Sequence, residues 1–159
     1  MNLLNTIIFI VFVPFVQIFF IDSSFPAGSF IKAPSLVITS VVLFAIKKDY
    51  FYSYTYAFLA GIISSVIYGL PAGASACSYL LIIFFVRKLS GNFDISGYAG
   101  RFALGAAAAI FNYFYLMLLS AFLEVPRSTF PAASFGALFT GVLTVLVFSV
   151  FFKKHKPVI

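Results

Sequence analysis

Six apolar stretches fill most of the chain, and nearly all of its charge falls in the breaks between them. They cover residues 3–21, 34–46, 50–70, 72–86, 99–123 and 131–152. A helix needs roughly 20 apolar residues to cross the hydrocarbon core of a bilayer. The pattern predicts an all-α integral membrane protein, a compact bundle of about six transmembrane helices forming one transmembrane domain. Only 9% of the 159 residues are charged and the mean hydropathy is +1.13, whereas a soluble domain carries roughly 25% charge.

The positions of the basic residues orient the bundle. With the N-terminus inside, Lys47, Lys48, Arg87, Lys88, Arg101, Lys153, Lys154 and Lys156 all lie on the inner side, and only Lys32 and Arg127 lie outside. That bias matches the positive-inside rule and places both termini in the cytoplasm. It also accounts for the net charge of +6 without nucleic acid, because the cations sit between apolar runs rather than in a patch. The inner cations are candidates for contact with anionic membrane lipid or a cytoplasmic partner.

The second stretch, "PSLVITSVVLFAI", is the short one. Its ~13 residues rise only ~20 Å, so it must thin the bilayer, recruit its flanks or stop short of crossing. Pro34 suits the first turn of a helix. Pro14 lies inside the first stretch and is expected to kink it. That stretch has no basic residue ahead of it. Despite a loose cleavage-like "FPAGS" at 25–29, it reads as a retained helix. Pro126 and Pro131 frame a short loop, and "RKLSGNFDISGYAGR" at 87–101 reads as the longest inner loop. The run "DYFYSYTY" at 49–56 reads as an aromatic belt at headgroup level.

Small residues recur every fourth position at Ala57, Gly61, Ser65, Gly69 and Gly73, with Pro71 breaking the run. Such spacing lines up one helix face. In lipid, small residues let backbones approach and gain dispersion contacts. The stripe is expected to pack another helix of the chain, or to receive a partner's helix. Gly69 is placed to cap the helix, and the third and fourth helices are expected to form a tight hairpin. Gly97, Gly105, Ala109, Ala133, Ala137 and Gly141 suggest similar packing elsewhere. A bulky residue at Gly61 or Gly69 is expected to disrupt helix packing or complex formation.

Chemistry-bearing groups are sparse. Gln17, Asn112, Thr140 and Thr144 lie within apolar runs and need partners there, either interhelical bonds or a ligand. Asn112 and Tyr113 are the first ligand-lining candidates, and Ser65 is expected to bond its own helix carbonyls. His155 sits in the basic tail. Asp22, Asp49, Asp94 and Glu124 fall at expected ends or loops, so no pair is spaced for acid–base work. The lone Cys77 excludes an intrachain disulfide. No catalytic residue, cofactor or metal site is expected.

Residues 57–73 resemble the rod shape-determining protein MreD family, whose third helix often carries G-x3-G-x3-D-x3-G-x3-G. Gly61, Gly69 and Gly73 match; Ala57 is a mild change, and Ser65 replaces the acidic residue. Length, the proline opening the short second span, and the basic residues after the fourth span and in the tail are similar to the family in layout. The resemblance implies a non-enzymatic scaffold in the bacterial inner membrane. It would bind MreC and link cytoplasmic MreB to peptidoglycan synthesis, with contacts to MreB and the elongation synthases indirect. It also implies a bundle similar to the substrate-binding subunits of energy-coupling-factor transporters. A small-molecule-binding subunit of such a vitamin transporter is the alternative function. That group usually has an alanine motif in its first helix, which "NTIIFIVFVPFVQIFF" lacks.

Overall fold

A computed structural model describes residues 12–17, 35–47, 49–91, 97–123 and 130–151. Among these residues every regular element is a helix. They are α1, seen over 12–17, α2 (Leu36–Lys47), α3 (Tyr50–Ile67), α4 (Ala74–Ser90), α5 (Tyr98–Leu123) and α6 (Phe130–Phe151). Tyr50–Ile67 and Tyr98–Phe122 are long and apolar enough to cross a membrane.

The organising element is the short one. α2 touches α3, α4, α5 and α6. Eight of its 12 residues are buried: Val37, Ile38, Thr39, Ser40, Val41, Val42, Phe44 and Ala45. A 12-residue helix spans only ~18 Å, which is too short for an exposed crossing. Four neighbouring helices pack against it. α3 and α4 form one closely packed pair and α5 and α6 another, with α2 between them.

The α3–α4 turn follows from two glycines. Gly69 has φ 63° and Gly73 φ 88°, the left-handed region that side chains with a Cβ avoid. The amide of Leu70 donates to the carbonyl of Ser65 (2.8 Å) and that of Gly69 to Val66 (3.3 Å). These two bonds are the Schellman closure of a helix C-terminus. The amide of Ala74 then donates to Pro71 (3.0 Å), and α4 begins.

Two expected boundaries change. α4 continues through Ser90 and α5 begins at Tyr98, so Arg87 and Lys88 end a helix and Arg101 begins one, rather than lying in a long loop. Cations in the last turn of α4 complement the negative end of its dipole. The aromatic belt also divides. Tyr50 and Phe51 are exposed, but Tyr56 is fully buried, stacked on Phe44 with centroids 4.1 Å apart.

Candidate functional site: polar ties around the central helix

The first amides of a helix have no partner within it and are satisfied by side chains or water. At the start of α2, Ser35 caps its own helix, its Oγ accepting the amide of Ile38 (3.1 Å). Two other helices supply the remaining ties. The Leu36 amide donates to Oε1 of Gln17 on α1 (2.6 Å), and the Ser35 amide donates to Oγ1 of Thr140 on α6 (3.0 Å).

Proton counting orders the α2–α6 contact. Each threonine hydroxyl has one proton. Thr140 Oγ1 donates to the carbonyl of Gly136 (2.7 Å) and Thr144 Oγ1 to that of Thr140 (2.8 Å). Thr39 is therefore the donor in its 3.3 Å bond to Thr144. Gly105 of α5 lies against the same Thr144 side chain so closely that a Cβ there would overlap it.

Midway along α2, Ser40 gives its proton to the carbonyl of Val37 (2.7 Å), so the buried Tyr56 hydroxyl donates to Ser40 Oγ. At the far end Ser53 of α3 has its one proton shared between the carbonyls of Phe44 (2.8 Å) and Asp49 (2.9 Å) and accepts from Nη2 of Arg87 (2.7 Å). The Arg87 guanidinium also lies 4.0 Å from the centre of the Tyr50 ring. Arg87, expected as a loop cation, is thus built into the seam of α2, α3 and α4.

The small-residue stripe separates into two devices. Ala57, Gly61 and Ser65 are buried, and a Cβ on Gly61 would collide with the backbone of Ala76 on α4. Gly69 and Gly73 have nothing within 4 Å of a would-be Cβ, so they serve the turn through their φ angles. Pro71 is exposed in that turn. The expectation that bulk at Gly69 blocks packing is corrected accordingly: the cost there is backbone strain.

Ser65 does not turn back on its own helix as expected. Its Oγ accepts the amide of Ser75 (3.0 Å) in the first turn of α4, where the N-cap residue Gly73 has no side chain to cap with. α3 therefore caps α4 in trans. Asn112 is also committed between helices, its Oδ1 accepting from Ser78 Oγ (2.8 Å).

Lys88 is exposed, whereas Arg101 is half-buried with its guanidinium 5.3 Å from the Phe148 ring centre and 6.0 Å from that of Tyr98. Lys153, Lys154, Lys156 and His155 lie outside the described residues, as do Lys32, Lys48, Arg127, Pro34, Pro126, Asp22, Asp94 and Glu124. Sequence reasoning missed Ser35, Thr39, Ser40, Ser53, Tyr56 and Ser78. Their signal was a hydroxyl in an apolar run, but their partners were not apparent. Among the described residues no three His, Cys, Asp or Glu side chains gather as a metal site. Comparison with family models, curated proteins and solved structures finds no match to the chain.

Proposed function

We propose that the chain is a six-span integral membrane bundle, with both termini cytoplasmic, acting as a non-enzymatic scaffold of the bacterial cell-elongation complex in the inner membrane. The supporting observation is an apolar exterior around a core that also holds bonded hydroxyls. Phe51, Phe114 and Leu146 are 74%, 54% and 56% exposed, while Ser53, Ser78 and Thr144 are fully buried and bonded to other helices. Large contiguous apolar surface is costly in water and natural in lipid.

The scaffold reading adds two supports. The interior hydroxyl and amide side chains named above are bonded to other helices, to their side chains or to their backbone, which favours a rigid platform over a ligand chamber. The 57–73 pattern is similar to MreD, and Ser65 keeps an acceptor oxygen where that family has a carboxylate. Because α4 fills the Ala57–Gly61–Ser65 face, a partner helix such as that of MreC would seat on an outer face.

Crosslinking in native membranes, followed by affinity isolation and mass spectrometry, tests this reading. Recovery of MreC with elongation synthases is expected. Recovery of a coupling subunit with paired ATPases would overturn it in favour of a transport component.

A further inference from the structure

α4 and α5 are tied together at one level and part at another. The Ser78–Asn112 bond closes the seam in mid-helix. Toward the α4–α5 connection the helices leave an apolar groove of about 190 Å³, lined by Ile82, Phe85 and Leu89 of α4 and Leu104, Ala107 and Phe111 of α5. Its walls are almost wholly hydrocarbon and offer no anchor for a polar ligand's interior.

Two cations stand next to the end of the groove at Leu89 and Leu104, outside its lining. Lys88 adjoins Leu89, and Arg101 stands one turn before Leu104 on α5. Arg101 is half-buried with its Nε enclosed, and that nitrogen has no hydrogen-bond acceptor among the described residues. The contacts of its guanidinium there are to aromatic rings. Asp49, the one acid among the described residues, forms no ion pair with it. Among the described residues this half-buried guanidinium has no anion beside it, a costly arrangement, and a phosphate oxygen is a geometrically matched partner.

We propose that this groove is a lipid site: one acyl chain of an anionic phospholipid lies between α4 and α5, and its phosphate is held by Arg101, flanked by Lys88. The groove supplies the apolar length and the two cations next to its end supply the charge. The inference rests on the membrane reading above.

The test uses the full chain purified in mild detergent, with phosphatidylglycerol or phosphatidylcholine added, and intact mass measured under native conditions. The expected result is a retained phosphatidylglycerol adduct and little phosphatidylcholine. Arg101→Gln should reduce that adduct about tenfold, the loss expected of one charge-assisted bond. Ala107→Phe, which fills the groove and leaves Arg101 in place, should reduce it as well, and Arg101→Lys should retain part of it. Equal retention of both lipids, or adducts unchanged in Arg101→Gln and Ala107→Phe, would overturn the site. A photoreactive residue at position 107 that crosslinks to a second copy or another protein instead of lipid would also overturn it. Alkaline carbonate extraction separates the two claims. A chain that stays with the membrane but loses the lipid preference refutes only the site, whereas a chain released from the membrane refutes both.

Discussion

Gly61 lies against the backbone of Ala76, so the α3–α4 seam is closed to within less than the width of a methyl group. Gly61→Ala must therefore push the two helices apart, at a cost of about 1–3 kcal/mol for overpacking. Gly69→Ala meets no neighbour but holds alanine at φ 63°, at a cost of about 1–2 kcal/mol. The two variants are expected to differ in kind. Disulfide crosslinking between cysteines placed across α3 and α4 should weaken in Gly61→Ala and persist in Gly69→Ala, while detergent unfolding shows both destabilised.

The trans cap gives a second prediction. Ser65→Ala leaves the Ser75 amide without its acceptor, a loss of about 0.5–2 kcal/mol by analogy with N-cap deletions. Ser65→Asp restores an acceptor at the positive end of α4 and should recover much of the loss. Unfolding midpoints in detergent, compared across the three proteins, read this directly. An aspartate no better than alanine would contradict the capping role.

Gln17 and Thr140 act on adjacent amides of one helix start. Gln17→Leu and Thr140→Val each strand a part-buried donor, at about 1 kcal/mol. Because both feed the same end of α2, their double variant should cost less than the sum of the singles. A double-mutant cycle on unfolding free energies measures the coupling, and strict additivity would argue against a shared cap.

Arg87 is expected to be structural as well as topological. Arg87→Lys keeps the charge for orientation but loses the guanidinium's contact over the Tyr50 ring and its bond to Ser53. It should insert in the same orientation as the original chain yet unfold more readily, by about 1 kcal/mol. Glycosylation-site topology mapping and unfolding together separate the two roles.

Helix order and the α3–α4 reversal were readable because hydropathy, proline and glycine act locally. The packing was not. Ser35 and Thr140 are 105 residues apart, as are Thr39 and Thr144, and Arg87 reaches back 34 residues to Ser53. Nothing in the local run marks which hydroxyl meets which. The four-residue stripe misled for a related reason. Glycine serves both close approach and left-handed turns, and the spacing runs through from Gly61 to Gly73 without showing where one use gives way to the other. Tyr56 shares a run with exposed aromatic residues and is distinguished only by the helix face it occupies. α2 is short, and no window on its own residues shows that four other helices pack against it.

The chain contains no tryptophan, so single reporters can be placed cleanly. The central claim is a membrane bundle built around a helix that lipid does not reach. Phe44→Trp puts the reporter on α2, where the native ring is 2% exposed, and Phe114→Trp puts it on α5, where exposure is 54%. In bilayers containing lipids brominated along the acyl chain, the Phe114→Trp variant should be strongly quenched and the Phe44→Trp variant should keep its fluorescence. No quenching at either position would contradict membrane insertion, and equal quenching at both would contradict a buried α2.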